Sequence, residues 1–220
     1  MALEIQNATP EDAAELTQVF YTAFGGEFNR TMFPQKPDVT AWWEHSFNTL
    51  ALRTQANEGN AVLLKITDEK GAIAAFAKWK RPVTADRDQE HEESVEWAPS
   101  SDKDLCERFF SSMDGQHHKW MEDRPHYCGL TPTTPSLAWT FGTRYLDMLG
   151  VHPSQQGRGL ASKLLKWGLC RADAEGVETY LSASPEGKPM YEKYGFRSVE
   201  SFSPFAGYIQ EAMIRPTNNQ

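Results

Sequence analysis

The residues best suited to chemistry in this 220-residue chain crowd into its last third. Residues 144–151, Arg-Tyr-Leu-Asp-Met-Leu-Gly-Val, begin with the apolar character of a buried strand; Pro153 ends that strand, and a run with helical period opens after Gly159. The spacing predicts a strand, a tight loop and a helix. Gly157 and Gly159 let the loop backbone come close to a ligand, and the first helical turn offers unpaired N–H groups at the positive end of its dipole. Such a site suits a phosphate. It is not a Walker loop, because Leu160 and Ala161 rather than a Lys-Ser/Thr pair follow the second glycine, and it lacks the third glycine and distant acid of a dinucleotide fingerprint. The strand carries one carboxylate, Asp147, on the face that strict alternation shares among Tyr145, Asp147, Leu149 and Val151. Burying an unpaired charge costs roughly several kcal/mol, so Asp147 must have a partner, a raised pKa or a wet cleft in front of it.

The run Gln156-Gly-Arg-Gly-Leu-Ala161 resembles the Gln/Arg-x-x-Gly-x-Gly/Ala pyrophosphate loop of the GNAT superfamily of acyl-CoA-dependent N-acetyltransferases, and the Val-His-Pro before it and Leu-Leu after it suit that loop's flanks. A second stretch, Ala183 to Phe196, is similar to the family's next helix with its Tyr-x-x-x-Gly-Phe ending. The resemblance is strong over residues 145–202 and topological before them. It implies an α/β fold of the α+β type, the GNAT fold: a mixed, mostly antiparallel sheet of six or seven strands flanked by helices. It implies acetyl-CoA as co-substrate, held by Leu149, Gly150, Val151, Gln156, Gly157, Arg158, Gly159, Leu160, Ala161 and Tyr191, with no metal.

The chemistry implied is attack by an amine on a thioester, which the protein must position, deprotonate and stabilise. For the oxyanion, the resemblance implies a backbone N–H near Leu149 to Val151, where the family's strand bulges; Gly150 makes a bulge cheap there. A tyrosine phenol is matched in acidity to the leaving thiol, and Tyr191 stands where the family's helix carries that tyrosine, with Tyr194 as its competitor. Asp147 and Tyr145 fall at the positions from which relatives draw the acceptor's proton, although both residue types differ from the histidine pair of the serotonin N-acetyltransferase branch. His152, beside the loop, is at a usually structural position. The segment after the first helix forms part of the family's acceptor cleft, which makes Phe28 and Phe33 acceptor-wall residues; their plainer role is to tuck a loop onto the core.

The elements that must position these groups read as follows. Leu3–Gln6 alternates as a short strand, and Thr9-Pro-Glu-Asp12 starts a helix running to about Phe24. Glu27 to Pro37 reads as a loop, and Asp38 as the N-cap of a helix from Val39 to about Asn57 whose Trp42, Trp43 and Phe47 face the core. Ala61–Ile66 and Gly71–Lys80 read as a hairpin, and Asp102 to about Met121 as a helix on which His117 and His118 are surface polar residues. After the glycine loop come a helix to about Ala174, a strand at Glu178–Ser182, a helix opening at Ser184-Pro185 and a closing antiparallel pair.

Composition suits one sizeable core, read as a single N-acetyltransferase domain over 1–220. A formal charge of −8 and a pI near 5.3 argue against nucleic-acid binding and favour cationic or neutral partners. Cys106, Cys128 and Cys170 suggest neither a disulfide framework nor a zinc site. No membrane span or signal peptide is legible, so the chain reads as cytoplasmic, with the nucleus left open, and as a monomer or homodimer. The acceptor is read as a small cationic or aromatic amine, acetylated directly in a ternary complex. The acidic run from Asp86 to Glu96 is ordinarily a solvated loop, and as an acidic rim it keeps protein N-terminal or lysine acetylation as an alternative. A non-catalytic acyl-CoA-binding domain is the alternative from another class.

Overall fold

The computed structural model describes residues 3–81, 96–121 and 144–217. In chain order these form β1 (Ile5–Asn7), α1 (Ala13–Ala23), α2 (Glu27–Met32), α3 (Pro37–Ala56), β2 (Ala61–Thr67), β3 (Ile73–Lys80), α4 (Lys103–Met121), β4 (Arg144–Val151), α5 (Leu160–Glu175), β5 (Thr179–Ala183), α6 (Lys188–Glu192), β6 (Arg197–Phe205) and β7 (Tyr208–Arg215). The seven strands make one sheet in the order β1-β2-β3-β4-β5-β7-β6. Among the described residues β4 and β5 are the one parallel pair. This is the mixed, mostly antiparallel sheet that the resemblance implied. Most of the acidic run (residues 86–93), Cys128 and the Thr131–Ser136 stretch lie outside the described residues.

Central strands covered on both faces must be apolar at both parities, and β2 and β3 are. Leu63 and Phe76 point into a cluster with Leu16, Phe20, Trp43 and Phe47 of α1 and α3. Val62, Leu64, Ala75, Ala77 and Trp79 point the other way, onto Leu164, Leu165 and Leu169 of α5. Helix α5 comes unusually close because Gly168 faces the fully buried Trp79, whose Nε1–H donates to the Leu164 carbonyl at 3.4 Å. No helix among the described residues is long and apolar enough to cross a membrane. Cys106 is buried and Cys170 exposed, both as free thiols.

Three boundaries differ from the sequence reading for local reasons. The segment after α1 is not a loop: residues 27–32 close a helical turn, with the Arg30 amide donating to the Gly26 carbonyl at 3.1 Å. Helix α3 starts at Pro37 with Lys36 as N-cap, so Asp38 sits inside the first turn and its Oδ2 accepts from the Ser100 amide at 2.8 Å, tying α3 to the segment before α4. Helix α6 starts at Lys188, because residues 184–187 form a turn in which the Gly187 amide donates to the Ser184 carbonyl.

The seating of α5, which carries the glycine loop, is directly testable. A Cβ on Gly168 would lie 2.2 Å from Trp79 Cζ2. Alanine's helix propensity favours Gly168→Ala by about 1 kcal/mol, whereas overpacking a closed core costs about 1–3 kcal/mol or more, and a clash this deep should win. Urea unfolding should show a net loss of about 2 kcal/mol; unchanged or increased stability would mean that α5 is free to move off the sheet.

Candidate active site

The geometry of the site begins with the register of β4. It pairs with β3 from Val151 opposite Ala75 to Tyr145 opposite Lys80, but Lys78 faces Met148 while the next residue, Trp79, faces Leu146. Asp147 is therefore an extra residue, a β-bulge, and alternation breaks on it. Tyr145 packs with Tyr180 and Met121 beneath α4, and Met148 packs on the α1/α3 side, whereas Leu146, Leu149 and Val151 pack on the α5 side. The expected single face of Tyr145, Asp147, Leu149 and Val151 is thus corrected: the bulge sends the last two to the opposite side from Tyr145. Gly150 does not form the bulge. It is there because a Cβ would lie 2.5 Å from Phe76 Cε1.

The other edge of β4 opens. Pairing with β5 runs from Arg144 opposite Thr179 to Leu146 opposite Leu181 and then stops, while β5 continues to Ala183 paired with β7 alone. From Asp147 onward β4 and β5 are no longer paired, which leaves a slot along the β5-facing edge of β4, and the bulge lies where the pairing stops.

The slot leads into the glycine loop. Gly157 and Gly159 have φ of +77° and +75°, a region that favours glycine, and within 4 Å of a Cβ on either there is open space. No side chain caps α5, and the amides of Gly157 to Ala161 have no hydrogen-bond partner among the described residues. Five backbone donors thus lie at or just before a helix N-terminus, with open space beside two of them. The side chains hold the loop rather than fill it. Gln155 Nε2 donates to Asp68 at 3.3 Å, Arg158 donates to Gln155 and to Glu69 (2.7 Å to the latter), and His152 Nδ1 accepts from the Ser154 amide. Gln156 is exposed, and Leu160 is buried under the helix.

Tyr191 lies on α6 against the α5-side cluster that includes Leu149 and Val151, with its ring 5.9 Å from Phe196. Burial pushes its phenol up to about 12, so it carries its proton throughout the neutral range. Tyr194 packs against the same cluster, with its ring under the Lys166 ammonium at 5.7 Å.

On the opposite face, Asp147 has the partner its position demanded: Lys78 Nζ lies 2.6 Å from its Oδ2. Burial pushes the Asp147 carboxyl up, but the charges of Lys78 and Lys80 outweigh it and hold the group ionised below the usual aspartate range. Tyr145 is 7% exposed, and burial together with the Asp147 charge keeps its phenol firmly protonated, which removes it from proton acceptance. His117 is the residue the sequence reading misassigned. It is turned inward from α4, its ring stacked on Tyr145 at 4.8 Å, and its buried Nε2 has no partner among the described residues. Burial, reinforced by Lys80, lowers its pKa from 6.5 to about 4, leaving a neutral imidazole at pH 7. His118 is exposed as expected. The signal for His117 was present in its spacing from Met113 and Met121 along one helix face, which adjacent histidines obscured.

The two aromatic wall candidates part company. Phe33 is 2% exposed within the cluster of Phe20, Trp42, Trp43 and Trp97, so it is core rather than wall. Phe28 is half-buried and stacks on Phe205 at 4.3 Å, beside Tyr208 at 4.5 Å and Phe109 at 5.3 Å. It joins α2 to the end of the β6–β7 hairpin. Among the described residues there is no group of three or more His, Cys, Asp or Glu that could hold a metal ion.

A parallel pair that stops pairing partway, a bulge where it stops and a loop of unpaired amides after it match the fold that the sequence resemblance implied, and sequence comparison agrees. The sequence model of the acetyltransferase (GNAT) domain matches residues 89–213, more than half of the chain, and the protein belongs to that family. Over 56 residues it is 43% identical to the uncharacterized N-acetyltransferase YafP of Escherichia coli K12, an alignment covering 26% of this chain and 35% of YafP. The match thus spans about a third of that curated relative's length. Among solved structures, the chain is similar to arylalkylamine N-acetyltransferase 2 of Aedes aegypti (TM-score 0.62, 12% identity, 99% and 100% of the two chains). It is also similar to a histone acetyltransferase HPA2 and related acetyltransferase of Corynebacterium glutamicum (0.60, 21%, 100% and 99%). A third is the PaiA N-acetyltransferase of Thermoplasma acidophilum in complex with coenzyme A (0.56, 13%, 98% and 99%). At these identities the likeness is one of fold.

The loop geometry yields a prediction with coenzyme A as probe. Asparagine tolerates the left-handed backbone of Gly159 better than other side chains, so Gly159→Asn should fold while filling the space above the amides. Calorimetry should show coenzyme A binding weakened at least tenfold, about 1.4 kcal/mol. A folded Asn variant with unchanged affinity would remove the loop from the binding site.

Proposed function

We propose that the protein transfers the acetyl group of acetyl-CoA directly to the primary amine of a small molecule within a ternary complex. The observation that carries this reading is the end of β4–β5 pairing at the Asp147 bulge, followed along the chain by the amides of residues 157–161, which have no hydrogen-bond partner among the described residues. The residues fit the co-substrate: the loop amides suit a pyrophosphate, and the unpaired edge of β4 over Leu149 to Val151 suits an extended, amide-bearing arm that hydrogen-bonds as a missing strand would. The same edge supplies the N–H that meets the developing oxyanion.

The proton steps follow from the groups on either side. Nitrogen attacks the thioester carbonyl, the C–S bond breaks, and Tyr191, protonated and packed against the same cluster as Leu149 and Val151, gives its proton to the departing thiolate and regains one, through water, from the nitrogen as the amide forms. On the other face the ionised Asp147 attracts an ammonium acceptor and takes its proton, directly or through water. A cationic amine competes with Lys78 for that carboxylate, which favours a compact acceptor over a bulky one. The aromatic group of Phe28, Phe109, Phe205 and Tyr208 supplies a flat apolar wall suited to an aromatic amine.

Two variants test the roles. Tyr191→Phe should lower kcat roughly a hundredfold while leaving the acetyl-CoA Kd within about twofold, because it removes one general acid and no binding contact; wild-type turnover with chemistry rate-limiting would transfer the role elsewhere. Asp147→Asn should lower kcat and move the pH profile to alkaline values. Because the native carboxylate is ionised across the neutral range, losing it leaves only the amine already neutral in solution to react, and that fraction grows with pH. If Asp147→Asn instead keeps its activity and pH profile and loses thermal stability, the residue is a structural partner of Lys78.

A further inference from the structure

The turn between β2 and β3 is braced from within and reaches across to the glycine loop. Asp68 does the bracing: its Oδ1 accepts from the amides of Lys70 at 2.8 Å and Ala72 at 3.0 Å, and its own amide donates to the Ala72 carbonyl at 2.7 Å. Gly71 closes the turn at a φ of +87°. Two carboxylates then extend from this fixed base. Asp68 Oδ2 accepts from Gln155 Nε2 at 3.3 Å, and Glu69 Oε1 accepts from Arg158 Nη2 at 2.7 Å. Arg158 Nη1 donates to Gln155 Oε1, which closes a chain of four side chains from Asp68 through Gln155 and Arg158 to Glu69. The backbone supports the same alignment, since the His152 amide donates to the Ala74 carbonyl at 2.9 Å and extends the β3–β4 pairing up to the loop.

The loop has reason to need such support. Gly157 and Gly159 give it more backbone freedom to lose on ordering than any other residue type would. Its amides at residues 157–161 have no hydrogen-bond partner among the described residues that would hold them in place. Gln155 and Arg158 stand on either side of Gln156-Gly157, so tying both to one rigid turn fixes the stretch between them. A donor set ordered before the ligand arrives spends less of the binding energy on ordering. Arg158 and Glu69 are exposed, and an exposed ion pair alone contributes little; in a closed chain the contacts share partners and act as a unit.

We propose that Asp68 and Glu69 are positioning residues for the acyl donor: through Gln155 and Arg158 they hold the glycine loop in the conformation that presents its amides to the pyrophosphate. The inference rests on the donor site proposed at those amides and is independent of the acceptor and of the proton-transfer roles. It assigns the Arg158 side chain to the turn rather than to the ligand.

Calorimetry of the full chain with coenzyme A tests this through the sign of one effect. Removing a negative charge beside a pyrophosphate site would by Coulomb's law tighten binding, whereas breaking the chain of contacts weakens it. Glu69→Ala should therefore weaken coenzyme A about threefold to fivefold. Glu69→Gln, which lacks the charge but keeps an oxygen for Arg158, should recover part of that loss. Arg158→Gln should match Glu69→Ala, and the double variant should be no weaker than about twofold below either, because both changes break the same chain. Nitrogen-15 relaxation of the free protein should show the order parameters of the Gly157 to Ala161 amides falling from about 0.85 toward about 0.6 in Glu69→Ala. Tighter or unchanged coenzyme A binding in Glu69→Ala, or additive losses in the double variant, would overturn the proposal and return Arg158 to direct contact with the ligand. If wild type binds coenzyme A and Gly159→Asn weakens it while Glu69→Ala does not, the donor site stands and this proposal alone fails. If wild type binds none, both fail.

Discussion

Strand β4 is paired with β3 from Tyr145 to Val151, across the bulge, but with β5 only through its first three residues, and the site depends on that one-sided pairing. A backbone edge left without a partner and shut away from water would cost about 1–3 kcal/mol per group. The fold leaves such an edge between Asp147 and Val151 and opens it to a ligand. The extra residue at Asp147 makes this workable: it lets β4 stay in register with β3 on both sides of the bulge while its path turns from β5. It also sorts side chains, turning Asp147 and Met148 toward the α1/α3 face and Leu149 and Val151 toward α5 and Tyr191. The proton acceptor and proton donor proposed above therefore fall on opposite faces of one strand.

Electrostatics on the acceptor face are set by a small group of charges. Lys78 and Lys80 alternate with buried residues of β3 on the same face as the bulge and hold Asp147 ionised, while burial, reinforced by Lys80, keeps His117 neutral. A carboxylate stabilised by a lysine at 2.6 Å is a weak base in isolation. In the proposed reaction its value lies in being charged where an ammonium acceptor would arrive, so that the proton leaves as the nitrogen becomes nucleophilic. His117, stacked on Tyr145 one residue-pair away, shows that the helix preceding β4 belongs to this environment.

What could be read from the sequence was what is encoded locally. The β4–loop–α5 unit follows from glycines, a proline and helical period within about twenty residues, and the positive φ of Gly157 and Gly159 is what those glycines were for. The bulge could not be read, because it is fixed by which β3 residue faces which β4 residue; Gly150, the local hint, serves contact with Phe76 instead. Phe28 and Phe33 look alike in sequence, and only the closing of α2 directs one toward the β6–β7 hairpin and the other into the core. His117 was hidden because an inward and an outward histidine stand side by side on α4.

The central claim is that the slot and the loop are one continuous acyl-donor site, and a crystal structure of the complex with coenzyme A tests it most directly. The account predicts the pyrophosphate on the amides of Gly157 to Ala161, the pantetheine arm bonded to the backbone of Leu149 to Val151, and the sulfur within hydrogen-bonding reach of the Tyr191 hydroxyl. Density for the arm outside the β4–β5 slot, or a sulfur remote from both Tyr191 and the bulge, would contradict it.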